Sequence, residues 1–206
     1  QSLYGGWRPN GLLVETGPFP GSQPLSRNWV FFLEEPSAED FLRGFLAKRT
    51  PADVTLHFQV FEGKQDLEKQ LARRIRYWRL PNSQFLVMRD QDSGDCVQIK
   101  QRLRALCDEA GRPEAVIRIA CRELETFFVG DWEAIAIAFE KPALAAHARS
   151  AKFRAPDHLG SPYEELKRVL PLYGKRDGAR RISRAMVPER NRSTSFQFLF
   201  KALSGF

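Results

Sequence analysis

Cysteine is scarce in this chain, and its spacing excludes two large classes of protein. Cys96, Cys107 and Cys121 are odd in number and include no CxxC pair. A disulfide framework or a structural zinc site is therefore not expected; three small, partly buried thiols in a reducing cytoplasm are. Histidine is equally sparse. His57, His147 and His158 stand alone, without HxxxH or HxH spacing, so no imidazole metal site or histidine base is evident. No stretch holds the roughly 18 uncharged apolar residues that a membrane span requires. No secretory signal and no internal repeat are visible, and a cytoplasmic protein without a membrane partner is expected.

What is present is ordinary in amount and uneven in placement. The 206 residues are 43% hydrophobic, enough for one domain with a real core. The net charge is +7, and residues 167–201 hold ten Lys or Arg against two acids, net +8, so the rest of the chain carries −1. A second basic stripe runs through Lys69, Arg73, Arg74, Arg76 and Arg79. Clustered positive charge on a balanced protein points to a polyanion, with nucleic acid first; a solvated face or an acidic protein partner is the plainer alternative.

Residues 1–28 are rich in Gly and Pro, with only a short LLVE run, and read as an irregular N-terminal extension. From Trp29 the periodicity alternates. Trp29–Leu33, Val54–Phe61, Gln84–Met88 and Ala115–Ala120 read as strands. Ala38–Lys48, Gln65–Arg79, Val97–Leu106 and Arg122–Phe139 read as helices. Strands alternating with helices predict an α/β core over residues 29–150 with a mainly parallel sheet. Four prolines then punctuate residues 151–206, where short helices are expected at 163–170, 178–184 and 194–203. This segment reads as a basic helical C-terminal appendage.

The most informative stretch is FLVMRDQDSGDC, residues 85–96. It sets Asp90, Asp92 and Asp95 directly after a core strand, where unpaired charge is costly. Residues two apart on an extended chain point the same way, so Asp90 and Asp92 suit one hard cation. Glu34 follows the first strand, and Glu123 and Glu125 follow the fourth. In a parallel sheet all these positions fall at the carboxyl edge, where ligands bind. Carboxylates gathered there repel one another unless a cation neutralises them, and divalent ions so held can assist phosphoryl displacement. Asp95 reads as a helix cap. One of Glu123 and Glu125 is expected in the site and the other in an ion pair with Arg122 or Arg118. Lys64, at a Gly-Lys junction without a glycine-rich loop, is a candidate phosphate contact and no Walker A lysine.

The pieces FLEEPSAEDFL, VFEGKQDLEKQL, FLVMRDQDSGDC, RIACRELETFFVGDWEAIA, KFRAPDHL and NRSTSF together resemble a bacterial domain-of-unknown-function family with a Toprim-like core. It is similar to the nuclease halves of overcoming-lysogenization-defect proteins and to RloB-like proteins. The resemblance implies a Toprim-like sheet and a Mg²⁺ site, with Mn²⁺ able to substitute. It implies Glu34 as the acid after the first strand, Asp90 and Asp92 as a DxD, and Glu125 as a further metal ligand. It also implies a place in phage defence beside an ABC-type or AAA-type ATPase. The sequence departs from the pattern at Glu35, where glycine commonly follows the first acid, and mildly at Phe127, where tryptophan is common.

The leading expectation is a Mg²⁺-dependent nuclease cleaving DNA or RNA. Glu34, Asp90 and Asp92 are its catalytic residues and, with Glu125, its metal ligands. Lys64, Arg73, Lys175, Arg176, Arg180, Arg181 and Arg192 would hold the nucleic acid. The alternative is a non-catalytic subunit that binds nucleic acid or an ATPase and keeps a vestigial acidic site. The sequence leaves the oligomeric state open.

Overall fold

The computed structural model of the chain describes residues 27–205; the LLVE run and most of the expected N-terminal extension lie outside them. Four strands form one sheet: β1 (Arg27–Leu33), β2 (Val54–Val60), β3 (Ser83–Asp90) and β4 (Val116–Ala120). Their order is β2-β1-β3-β4 and every pairing is parallel. Helices α1 (Pro36–Leu46), α2 (Lys64–Arg76) and α3 (Cys96–Glu109) connect them. The chain is thus an α/β protein with a parallel sheet flanked by helices, as the alternating pattern predicts.

Strand alternation divides the core into two layers. Trp29, Phe31 and Leu33 of β1 face one side, with α1 and the later helices. Val30 and Phe32 face the other, with Leu67, Leu71 and Ile75 of α2 and Ile99 and Leu103 of α3. Asp95 caps α3 by accepting from the Gln98 N–H at 2.9 Å, the local role its position predicts. β1 begins two residues earlier than expected, where Arg27 pairs with Asp53 at 2.9 Å. β3 runs two residues past Met88, because Arg89 and Asp90 still pair with Ile119 and Ala120.

The long helix expected over 122–139 is two short ones, α4 (Glu125–Val129) and α5 (Trp132–Ala138). Gly130 and Asp131 break it. Asp131 caps α5 through the Ala134 N–H at 3.1 Å and is held by Arg190 Nη2 at 3.0 Å. A cap bonded this way competes with continued helix, and glycine is a poor helix former. A run of 3₁₀ turns follows, then α6 (Pro162–Val169), α7 (Lys175–Ala185) and α8 (Thr194–Leu203).

The C-terminal segment supplies core as well as charge. Leu166, Ile182, Phe196, Leu199 and Leu203 share one buried cluster with Phe31, Phe41 and Phe45. Phe196 meets Phe45 edge-on with centroids 5.4 Å apart, a favoured aromatic geometry. α7 lies so close to α1 that a Cβ on Gly44 would come within 2.0 Å of Ser183 Oγ. This packing carries Lys175, the first residue of α7, to the carboxyl edge of the sheet.

A candidate acidic site at the switch point of the sheet

From β1 the chain moves to β2 on one side and then to β3 on the other. The carboxyl ends of β1 and β3 therefore flank a topological switch point, the usual ligand crevice of open α/β sheets. Glu34 and Glu35 follow β1 there, and Asp90 ends β3. Glu34 Oε2 accepts from the Asp90 N–H at 3.1 Å, locking the two segments together. Glu125, the first residue of α4, enters from a third direction and is 1% exposed. The Tyr173 hydroxyl donates to its Oε1 at 3.1 Å, and its Oε2 is buried with no hydrogen-bond partner among the described residues. No described group donates to the Asp90 carboxylate either.

The electrostatics follow from this crowding. Burial raises the Asp90 pKa well above the ordinary carboxylate range, and repulsion from Glu35, Glu125 and Glu34 adds to it. Burial pushes Glu125 up to about 7, against relief from Lys175. Glu34 is also raised by burial, with Arg89 pulling the other way. Lys175 is the shared counter-ion. Its Nζ lies 3.4 Å from Glu35 Oε2, and the charges of Glu125, Glu35 and Asp90 together raise its pKa although burial opposes them.

A second cation, Arg89, fills the opposite flank. Its side chain is only 4% exposed; it bonds Glu68 at 2.7 Å and approaches Glu34 at 3.6 Å and Asp92 at 4.0 Å. Asp92 adopts a left-handed backbone, φ 54°, and accepts from Lys64 Nζ at 2.8 Å. The expected quartet is therefore distributed: Glu34, Asp90 and Glu125 converge, while Asp92 stands at the rim in an ion pair. Glu35, which the family pattern marked as a departure, belongs to the cluster. Among the described residues, no group of three or more His, Cys, Asp or Glu is arranged to hold a metal ion. Carboxylate oxygens are nevertheless the donors a hard divalent cation takes, and the buried Glu125 Oε2 is one without a described partner.

Glu123 does not pair with Arg122 or Arg118. It accepts from the Tyr163 N–H at 2.8 Å and so anchors the start of α6. Of the residues expected to hold nucleic acid, Lys64 and Lys175 lie at the site. Arg176 is bound to Asp40 at 2.6 Å, and Arg181 and Arg192 each donate at 2.6 Å to the carbonyls of Ala138 and Ala148. Arg73 bonds Gln70 on the outer face of α2, and Arg180 is exposed without a described partner. Arg122, expected only as an ion-pair partner for Glu123 or Glu125, is a rim cation; its Nη1 donates to the Asp92 carbonyl at 3.3 Å. Arg89 and Tyr173 were missed. A lone base between a buried strand and an acidic run was the available signal for Arg89.

A family model described as a domain of unknown function (DUF4276) matches residues 33–204. No curated protein and no solved structure matches the chain. No described helix is long and apolar enough to cross a membrane.

Proposed function

The chain belongs to the DUF4276 family, and from that premise we propose that it is a Mg²⁺-dependent phosphodiesterase acting on nucleic acid, with a Toprim-like acidic site. One observation carries the reading. Glu125 Oε2 is buried without a described hydrogen-bond donor, and the charges of Glu35, Glu125 and Glu34 bear on Asp90, at the point of an α/β sheet where ligands bind. Such a cluster is costly as it stands and is relieved by a cation.

Glu34, Asp90 and Glu125 would hold the ion, with Asp92 available at the rim. Mg²⁺, or Mn²⁺ in its place, would supply Lewis acidity to a phosphoryl group. The chain's own cations do the positioning. Lys64, Arg122 and Lys175 border the acids and suit phosphate oxygens by charge. Tyr173 holds Glu125 in place through its hydroxyl. An ATPase partner of the ABC or AAA type and a role in phage defence rest on the family resemblance alone and are part of the same proposal.

A second reading is favoured by the internal ion pairs. Lys64 on Asp92, and Arg89 against Glu34, neutralise part of the cluster without a metal. In that reading the chain is a non-catalytic subunit that binds nucleic acid or an ATPase. Cleavage assays with labelled single- and double-stranded DNA and RNA separate the two. Cleavage that requires Mg²⁺ and is lost in Asp90→Asn supports the enzyme. Salt-dependent binding without cleavage supports the subunit.

A further inference from the structure

Among the described residues β4 is an edge strand, paired with β3 alone. Its backbone parity is set by two bonds to the segment after β3: the Ala120 carbonyl accepts from the Gln91 N–H at 2.9 Å, and the Arg122 carbonyl from the Asp92 N–H at 2.8 Å. Even-numbered residues of β4 thus face β3, and Ile117 and Ile119 present their N–H and C=O groups outward. The two ends of this open edge are closed. Arg104 Nη2 donates to the Ala115 carbonyl at 2.7 Å and Arg118 Nη1 to the Ile117 carbonyl at 2.8 Å. At the other end the Cys121 N–H meets Ser195 Oγ at 3.4 Å. Between them the Ile117 N–H and both backbone groups of Ile119 take no bond from any described residue.

This edge is the floor of a groove of about 720 Å³, walled by α3 on one side and α8 on the other. The walls expose large apolar side chains, Val97 at 62% and Phe198 at 59%. Free strand edges promote pairing with other chains, and proteins normally blunt them along their length. Here the ends are blunted, and mid-edge the Arg118 side chain covers the Ile117 carbonyl while its Nε donates to the Phe198 carbonyl of α8 at 2.9 Å; the Ile117 N–H and both Ile119 groups stay open between apolar walls, and an added strand would displace Arg118. That arrangement suits addition of one more strand, with main-chain bonds for affinity and side pockets for selectivity.

We propose that this groove receives an extended, acidic segment of a partner protein, which adds a fifth strand beside β4. Charge selects the occupant. Lys100, Arg104 and Arg118 line the groove. Its one acid, Asp157, is spent on the start of α8, accepting from the N–H groups of Thr194 at 2.7 Å and Ser195 at 2.9 Å. A second copy fits poorly. Two-fold pairing of β4 with itself would set the Lys100 and Arg118 side against its own image, and like charges across a strand pair are destabilising. This inference does not rest on the acidic site.

The test is selection of a displayed library of random short peptides on the full chain, followed by fluorescence anisotropy with the enriched peptides made synthetically. Enriched peptides should alternate apolar residues and carry Asp or Glu. Two variants report on the groove separately. Ile119→Pro removes an outward N–H and leaves the ladder-facing residues intact; Lys100→Glu reverses an exposed charge on α3. Each should weaken binding by about tenfold or more, with circular dichroism matching the wild type. No enrichment, enrichment of basic peptides, or equal binding to Lys100→Glu would overturn the proposal. So would a concentration-dependent dimer in sedimentation that Lys100→Glu alters, because the face would then belong to a second copy.

Discussion

Replacing Glu125 by glutamine keeps the volume of the side chain and an acceptor for the Tyr173 hydroxyl, and removes a charge that burial disfavours more than Lys175 and Tyr173 relieve it. Glu125 ionises near pH 7 in the folded chain against an ordinary 4.5. The folded state therefore holds a proton that the unfolded state gives up between those two values. The stability linked to this proton is fully present below pH 4.5, falls as pH rises, and is gone above pH 7. At about 1.4 kcal/mol per unit, the window is worth about 3 kcal/mol. The side chain is 1% exposed, so solvent screening takes little from that figure. Urea unfolding of wild type and Glu125→Gln across pH 5 to 8 isolates the effect, because the other titrating groups are common to both. Relative to the variant, the wild type should lose about 2–3 kcal/mol from pH 5 to pH 8. Mg²⁺ should restore part of the loss at pH 8 if Glu125 holds the ion. Parallel pH profiles for the two proteins would refute the reading of Glu125 as a carboxylate whose ionisation burial opposes.

Other outcomes follow from the same geometry. Asp90→Asn should abolish Mg²⁺-dependent cleavage while the urea midpoint holds or rises, since it removes a charge that Glu34, Glu35 and Glu125 repel; a fall in midpoint with cleavage retained would contradict both statements. Lys64→Ala should weaken nucleic-acid binding evenly across sequences and lower the salt slope by about one, measured by anisotropy at several salt concentrations. Asp131→Ala removes the acceptor for the N–H groups of Ala134 and Val187 and for Arg190, all within 3.1 Å. It should cost about 3 kcal/mol in urea unfolding, with the acidic site untouched.

The strands and helices of the sheet region were legible because they follow from local pattern. Alternation in β2, the apolar stripe of α2 and the Asp95 cap each act over a few residues. The helix break at Gly130 was not, because a run of apolar residues masked a glycine and a cap. The site was legible in part. Glu34 and Asp90 announce themselves as acids at strand ends, and the parallel topology brings strand ends together. Lys175 as their counter-ion was not readable, since it stands 140 residues from Glu35 and arrives through the packing of α7 on α1. The internal pairing of the basic cluster was hidden for the same reason. The acids that engage Arg176 and Arg190, Asp40 and Asp131, lie far from them in sequence. A charge count along the chain registers the bases and not their partners.

The central claim is that carboxylates at the switch point bind a divalent cation. Titration calorimetry with Mn²⁺ and then Mg²⁺ on wild type, Asp90→Asn and Glu125→Gln tests it most directly. The account predicts saturable binding to the wild type that is lost in Asp90→Asn and weakened in Glu125→Gln. Binding that survives unchanged in both variants, or no uptake by the wild type, would contradict it.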